Sequence, residues 1–226
     1  KIYISDISKV AVGRSKYTAS LDETGEIIDD VIVMHMAEGL YWVSDLYGPR
    51  LLPWIEKHND EYIYCYSANN SIKVSKSKKL TKQGSARTIW QAPESGWNRS
   101  CVWAPEIHKI KGKWYVFFAA GDSGNIWNIR PYVLVCQGDD PYDASSWVQA
   151  DGTAEIHAAT SEESAYFKHM SLDMTYFEHN GKHYVIWADI IGQSALYMQE
   201  INPDKPWEGQ GKVIMLTTPE YGWERN

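Results

Sequence analysis

The sequence predicts an all-β protein of the β-propeller type, built from repeated four-stranded blades. Two observations carry this prediction. The chain of 226 residues holds 11 Trp and 15 Tyr against only 4 Phe, and aromatic side chains in such numbers favour strands and surfaces that grip hydroxylated ligands. A hairpin unit also recurs three times, and a further strand of alternating pattern follows each copy. The repeats account for about three blades.

Each hairpin unit reads as a short strand, a two-residue turn and an aromatic-rich strand of period two. The three copies are LPWIEKHNDEYIYCYS, APEIHKIKGKWYVFFAA and DMTYFEHNGKHYVIWAD. Glycine supplies the positive φ of the turn in two copies, and Asn-Asp takes its place in the first. The strands that follow the hairpins are SIKVSKS, YVLVCQG and ALYMQEI.

The spacing of the turns supports a propeller. Superimposing them on Asp60, Gly112 and Gly181 gives separations of 52 and 69 residues, which compares with roughly 40–50 residues per blade when insertions are allowed. The equivalent positions eight residues before the turns are Leu52, Ala104 and Asp173. Because the innermost strand of every blade lines the central channel, these positions can converge across the axis. An ionised Asp is disfavoured in a strand, so Asp173 is predicted to be an inward-facing carboxylate at a shared site.

The first part of the chain is less informative. An earlier hairpin, VIVMHMAEGLYWVSD, turns at Gly39, only 21 residues before Asp60, and is interpreted as an extra or closing hairpin. The predicted division is an N-terminal segment of unknown role over residues 1–30 and the propeller domain over residues 31–226.

Composition excludes several classes of partner. The net charge is −7 with acidic residues spread along the chain, which argues against a nucleic acid or an anionic membrane. No apolar run approaches the ~20 residues that span a bilayer. The three cysteines have no metal-type spacing and predict no disulfide framework. The chain begins at Lys1 without a signal-like segment, so any export signal is expected to have been removed or never present.

Three motifs, WAPEIHKIKGKWYVFFAA, SLDMTYFEHNGKHYVIWAD and TPEYGWERN, resemble the family-43 glycoside hydrolases. The resemblance runs from about Pro53 to Asn226. It implies a five-bladed propeller and an arabinofuranosidase-, arabinanase- or xylosidase-like enzyme that hydrolyses plant arabinan or arabinoxylan with inversion. It also implies a secreted, periplasmic or cell-surface location, with an intracellular one as the alternative. The expected partner is an oligo- or polysaccharide.

An inverting glycosidase needs a base carboxylate and an acid carboxylate, roughly 6.5–9.5 Å apart so that water fits between them. The resemblance adds a third carboxylate that modulates the pKa of the acid, and Asp173 matches this modulator. Trp54 would line the pocket floor. Trp103 and Glu106 would shape the site and contact the substrate, although Glu106 suits a structural hydrogen-bond acceptor equally well.

The sequence departs from the family pattern at the positions of the base and of the general acid. Leu52 stands where the resemblance places the base, and Leu cannot accept a proton. The general-acid Glu is expected shortly after the WERN motif, beyond Asn226, so Glu224 within that motif is not the acid. Asp30 and Asp45 are conceivable substitutes for the base, but both suit turn residues better.

Other readings stay open at this point. His108 and His169 lack a second His at ligand spacing and are interpreted as structural. No cofactor is expected, although the resemblance allows a channel cation such as calcium. Aromatic residues in loop-like stretches could stack on sugar rings or pack on blade edges: Trp97, Trp127 and Trp207. The alternatives to an enzyme are a non-catalytic carbohydrate-binding propeller and a structural scaffold. A second chain could complete the propeller.

Overall fold

The computed structural model describes residues 53–80, 83–147, 169–191 and 193–222, together with the backbone of shorter strands within residues 2–45 and 156–158. The described strands form four antiparallel sheets of four strands each. The chain divides into two compact units, residues 1–52 and residues 53–226. This arrangement confirms the predicted all-β fold class.

The first unit holds one sheet, in which the strands follow one another in chain order. Its strands are β1 (Ile2–Ile4), β2 (Gly13–Leu21), β3 (Ile27–Met36) and β4 (Leu40–Asp45). The early hairpin of the sequence therefore forms half of a four-stranded sheet and does not stand apart as an extra hairpin. Because β3 runs from Ile27 to Met36, the boundary expected after residue 30 falls inside a strand.

The second unit holds three sheets, here called blades I, II and III. Blade I consists of β5 (Trp54–His58), β6 (Glu61–Ala68), β7 (Ser71–Ser77) and β8 (Ala86–Gln91). Blade II consists of β9 (Ser100–Ile110), β10 (Lys113–Asp122), β11 (Asn125–Val135) and β12 (Ile156–Ala158). Blade III consists of β13 (Met170–His179), β14 (Lys182–Ile191), β15 (Gln193–Asn202) and β16 (Lys205–Thr217). A single turn of 3-10 helix spans Ala144–Ser146.

The hairpins that open the three blades are the predicted ones. Two-residue turns join β5 to β6, β9 to β10 and β13 to β14. The first turn residue has a positive φ in each case: 54° at Asn59, 46° at Lys111 and 52° at Asn180. Turns of this hand match the right-handed twist of the flanking strands. The predicted repeat of about three blades is therefore confirmed for residues 53–222.

Strand β10 explains how the blades pack. Its side chains alternate between two cores: Trp114, Val116 and Phe118 lie in the core shared with blade I. Tyr115 and Phe117 lie in the core shared with blade III. A strand buried on both faces must be apolar throughout, which accounts for the run KWYVFFAA. Blade II is thus the central sheet of the three.

The first strands of the blades meet along one edge, since β9 contacts both β5 and β13. This is the arrangement expected of the inner strands of a propeller. All three cysteines are free thiols, and Cys65 and Cys136 are fully buried in the core between blades I and II. Within the described part of the chain, no helix has the length and hydropathy to cross a membrane.

Candidate functional site

Asp173 occupies a bulge on the inner strand of blade III. Strand β13 carries one more residue than β14 between the Leu172–Ala188 and Thr175–Ile186 pairs. The backbone of Asp173 has a φ of 54°, in the left-handed region that Asp tolerates better than most residues. A bulge of this kind re-aims a side chain relative to the regular alternation of the strand.

Ala104 occupies the equivalent bulge on the inner strand of blade II. It lies between Trp103 and Glu106, where β9 likewise carries one residue more than β10. Its φ of 42° is also in the left-handed region. The internal repeat predicts that Ala104 and Asp173 are equivalent, and their backbone conformations agree with that prediction.

The carboxyl group of Asp173 is held in an environment that disfavours its charge. The side chain reaches solvent, yet the protein covers enough of it that partial burial raises the pKa of Asp173. The negative charge of Glu106, on the neighbouring inner strand, raises this pKa further. A carboxylate of the adjacent blade thus acts on Asp173 at the predicted site.

Glu106 is tied to a buried histidine. Its Oε2 lies 2.9 Å from Nε2 of His108, two residues along β9. The imidazole of His108 is 6 % exposed. It contacts aromatic rings from three other strands, with ring centroids 4.8 Å away for Trp54, 5.4 Å for Tyr176 and 5.8 Å for Phe117.

His108 therefore joins the inner strands of all three blades. Trp54 lies on β5, His108 on β9 and Tyr176 on β13, and each pair of neighbouring blades meets at this imidazole. The interpretation of His108 as structural agrees with its burial and hydrogen bond. Its position at the junction of three strands has no signal in the sequence, because the strands come from distant parts of the chain.

A polar path continues from His108 into blade III. The hydroxyl of Tyr176 lies 2.7 Å from Nδ1 of His183, which is also buried. Burial, assisted by the charge of Glu178, raises the pKa of Tyr176 to about 12. The phenol of Tyr176 therefore remains protonated at neutral pH and can donate a hydrogen bond to His183.

A second carboxylate, Asp189, lies in the same blade and is fully buried. The hydroxyl of Ser171 donates to its Oδ2 at 2.7 Å, and the two residues face each other across β13 and β14. Burial raises the pKa of Asp189, while the hydrogen bond from Ser171 and the electrostatic influence of His169 and Arg130 oppose that rise. Sequence reasoning missed Asp189, because an Asp at the end of an apolar strand resembles an ordinary turn residue.

Arg130 of blade II is the positive partner of this second carboxylate. Burial lowers the pKa of Arg130 and the charge of Asp189 opposes that effect. Its Nη1 donates to the carbonyl oxygens of Trp127 and Ile129, both at 2.8 Å. The guanidinium thus fixes the start of β11 next to the inner edge of blade III, where β11 contacts β13.

The remaining aromatic candidates fall into two groups. Trp97 and Trp127 are 72 % and 58 % exposed, so both present their indoles to solvent. Trp207 instead packs against the core between blades II and III. Trp103 is half-buried and pairs with Ala119 across the strands. The indole nitrogen of Trp54 is buried without a hydrogen-bond partner among the described residues.

The structure describes the other candidate residues only in part. Leu52 and Glu224 fall outside the described residues. Asp30 and Asp45 lie in β3 and β4 of the first unit. His169 is exposed at the start of blade III. The described residues contain no group of three or more His, Cys, Asp or Glu side chains suited to a metal ion.

Comparison with known families identifies the family to which the chain belongs. The model of the glycosyl hydrolases of family 43 matches residues 51–225. The chain belongs to glycosyl hydrolase family 43. A second model, of the GCVT N-terminal domain, matches residues 1–83 and so overlaps the start of the family-43 match.

Curated relatives of this family-43 chain carry arabinofuranosidase names. An extracellular exo-α-(1→5)-L-arabinofuranosidase of Streptomyces chartreusis is 32 % identical over 190 residues, which is 80 % of this chain and 54 % of the relative. An α-L-arabinofuranosidase B of Pyricularia oryzae is 34 % identical over 193 residues, which is 80 % of this chain and 37 % of the relative. The chain thus spans about half the length, or less, of these relatives.

Solved structures show the same fold. An α-L-arabinofuranosidase from Lactobacillus brevis superimposes with a TM-score of 0.66 at 33 % identity, over 77 % of this chain and 55 % of that structure. An endo-arabinase from Bacteroides thetaiotaomicron superimposes with a TM-score of 0.57 at 19 % identity, over 75 % and 56 % of the two chains. At that identity the second likeness concerns the fold alone.

Proposed function

We propose that this protein is a glycoside hydrolase that acts on arabinose- or xylose-containing plant polysaccharides by inverting single displacement. The observation that carries the proposal is Asp173, a carboxylate kept on the inner strand of blade III beside Glu106, where both burial and like charge raise its pKa. The names of the relatives at 32 % and 34 % identity favour arabinose over xylose.

In the proposed reaction Asp173 is the modulator of the general acid. A base carboxylate would activate water on one face of the sugar, and an acid would protonate the leaving oxygen on the other. An ionised Asp173 near the acid would keep that acid protonated through like-charge repulsion. Trp54, Trp103 and Glu106 would bind the substrate around this centre.

The base and the acid do not come from residues 53–222 in this proposal. Leu52 holds the base position and lacks a group that can accept a proton. A second chain that completes the propeller is one source of the missing carboxylates. Leu196 and Ile214 support such a partner, because they expose apolar side chains on one face of blade III.

A non-catalytic carbohydrate-binding propeller is the second candidate, and Leu52 favours it. Loss of the base abolishes hydrolysis but leaves the aromatic surfaces intact. The exposed indoles of Trp97 and Trp127 suit stacking on sugar rings in this role as well.

We also propose that the protein is secreted, periplasmic or attached to the cell surface. The support is the printed name of the Streptomyces chartreusis relative, which is extracellular.

The experiment compares the wild-type chain with Asp173→Asn, Leu52→Asp and the control Asp204→Asn. Asp204 is an exposed carboxylate in the turn between the outer strands β15 and β16. Hydrolysis of 4-nitrophenyl α-L-arabinofuranoside and β-D-xyloside is measured, and binding of arabino-oligosaccharides is followed by calorimetry.

Hydrolysis that Asp173→Asn abolishes and Asp204→Asn retains supports the enzyme. A gain in rate with Leu52→Asp assigns the base position. Binding without turnover in every variant supports the carbohydrate-binding candidate, and neither binding nor turnover would contradict both candidates.

A further inference from the structure

Strand β11 carries a wide bulge near the tip of the hairpin that joins it to β10. Between the last two residue pairs of these strands, β10 has one residue, Gly121, and β11 has four, residues 126–129. These four residues are here called the β11 bulge. Two of its side chains, Ile126 and Trp127, are 47 % and 58 % exposed. The bulge therefore presents an indole to solvent from within a sheet and not from an open loop.

The backbone of the β11 bulge is anchored on both sides of the indole. Ile129 is fully buried over Gly121, where a Cβ would come within 2.7 Å of its Cγ1. Nη1 of Arg130 donates to the carbonyl oxygens of Trp127 and Ile129, both at 2.8 Å. The backbone N–H of Trp127 donates to Oδ1 of Asn125 at 3.1 Å. An aromatic side chain on a fixed backbone loses little conformational freedom when a ligand covers it.

The hairpin tip beside the β11 bulge is tied to the start of the inner strand β9. The backbone N–H of Ser123 donates to Oγ of Ser100 at 2.6 Å, and this hydroxyl donates to the carbonyl oxygen of Gly121 at 3.1 Å. The guanidinium of Arg99 donates to Oδ1 of Asp122 at 2.7 Å. The β11 bulge thus lies at the end of blade II where its inner strand begins.

Asp173 lies at the corresponding end of blade III. It is close to the start of β13, which begins at Met170, and β11 contacts β13. Arg130, which anchors the β11 bulge, interacts electrostatically with Asp189. Asp189 in turn accepts the hydrogen bond of Ser171, two residues before Asp173. A chain of contacts therefore connects the exposed indole to the strand that carries Asp173.

We propose that the β11 bulge is a sugar-binding subsite for a second unit of the polysaccharide, beyond the unit at Asp173, with Trp127 as the ring on which that unit stacks. An indole combines a flat apolar face with a polar N–H, which suits a sugar ring with its C–H face and its hydroxyls. The inference deepens the proposed action on arabinose- or xylose-containing polysaccharides and rests on it. It adds a determinant of substrate length.

The surroundings of the indole favour a sugar over a protein partner. The exposed residues that precede Ile126 and Trp127 are small or polar: Ser123, Gly124 and Asn125. A stable protein interface buries roughly 800 Å² on each side around an apolar centre, which two apolar side chains in a polar surround do not supply. One sugar unit needs a single ring and a few polar groups beside it.

The test measures the binding of arabinopentaose and xylopentaose to the full chain by calorimetry, each beside its monosaccharide. Trp127→Ala removes the ring, and Trp127→Phe keeps an aromatic face at the same position. Leu80→Ala is the matched control, because Leu80 is also a large apolar residue and is 49 % exposed. It follows β7, whose last residue, Ser77, pairs with Tyr62 next to the hairpin turn of blade I. Leu80 thus lies at the turn end of its blade, away from the start of the inner strand.

Trp127→Ala is expected to weaken binding of the preferred pentasaccharide about tenfold, a loss typical of a stacked aromatic ring. The monosaccharide should lose less, because it fills the site at Asp173 alone. Trp127→Phe should recover most of the affinity, and Leu80→Ala should bind as wild type does. Equal losses for the pentasaccharide and the monosaccharide, an equal loss in Leu80→Ala, no loss in Trp127→Ala, or no binding of either pentasaccharide by wild type would each overturn the proposal. A thermal melt of each variant confirms that folded proteins are compared.

Failure of this inference is separable from failure of the proposed function, because binding requires no turnover. Pentasaccharide binding that depends on Trp127 in a chain without hydrolysis retains the subsite and removes the enzyme. Hydrolysis of the aryl glycosides with pentasaccharide binding that ignores Trp127→Ala retains the enzyme and removes the subsite. If both hold, Trp127→Ala should raise KM for the pentasaccharide more than KM for the aryl glycoside.

Discussion

Ala104 and Asp173 hold the same backbone position in neighbouring blades, although one carries a methyl group and the other a carboxylate. Each lies eight residues before the glycine of its hairpin turn. Each sits in a one-residue bulge with a positive φ, 42° and 54°. Blades II and III thus share one equivalent inner position, and the side chain there decides whether the blade contributes a charge.

Ala104→Gly is expected to stabilise the protein. A left-handed conformation costs a non-glycine residue about 1–2 kcal/mol. Glycine removes that cost but loses roughly 0.4–1 kcal/mol through the entropy of the unfolded chain. The net gain should be up to about 1.6 kcal/mol, measured as a higher urea midpoint. Ala119→Gly, in the buried strand opposite, is the control and should destabilise. Similar losses in both variants would contradict the strain argument.

Asp173→Asn should change the pH dependence of stability. A raised native pKa means that the folded state binds more protons than the unfolded state, so stability falls as pH rises through the window above the ordinary Asp value. Asn removes this loss and tolerates the positive φ. The variant should therefore gain stability relative to wild type at pH 7, and the gain should shrink towards pH 4, in urea titrations at both pH values.

Asp122→Asn is the control of opposite sign for that experiment. The hydrogen bond from Arg99 at 2.7 Å holds the pKa of Asp122 below its usual range. A lowered native pKa gives stability that is present at neutral pH and lost as pH falls. Asp122→Asn should therefore lose stability relative to wild type at pH 7. The same sign for both variants would show that the change of side chain, and not the charge, dominates.

His108→Ala should be strongly destabilising. The substitution leaves a cavity among three rings and removes the partner of Glu106, so a loss of about 2–4 kcal/mol is expected. His179 provides the comparison, because it is exposed at the end of β13. His179→Ala should stay within about 0.5 kcal/mol of wild type. Urea unfolding followed by Trp fluorescence measures both, and a small effect of His108→Ala would contradict its role at the junction of the blades.

Ser171→Ala should cost more at high pH than at low pH. The lost hydrogen bond to a buried carboxylate is worth about 1–3 kcal/mol. Without it the native pKa of Asp189 rises further, so ionisation of Asp189 at higher pH destabilises the fold more. Ser75→Ala is the matched control, because the buried hydroxyl of Ser75 has no hydrogen-bond partner among the described residues. Its effect should be small and independent of pH.

The hairpins could be predicted from sequence because local chemistry determines them. Asn-Asp, Lys-Gly and Asn-Gly turns favour positive φ, and the strands that flank them alternate. The outermost strand, β16, could not be predicted from the sequence, because Pro206, Gly209 and Gly211 interrupt its alternating pattern. An edge strand tolerates such residues, since half of its backbone groups need no partner in the sheet.

The candidate site was predictable only in part. Asp173 is conspicuous as a carboxylate in an apolar strand, and the repeat gives its position. The bulge at Ala104 has no sequence signal, because it arises from the pairing of β9 with β10. The cage around His108 and the Arg130–Asp189 pair each join different blades, so only the folded chain brings their members together.

The buried thiols of Cys65 and Cys136 are built-in probes for the separation of blades I and II. Burial raises the pKa of Cys65 well above the usual range and that of Cys136 to about 11, so neither offers a reactive thiolate while blades I and II stay packed. A thiol reagent can reach them only when this core separates. The rate of their modification, set against that of the half-buried Cys101, reports how often the two blades part.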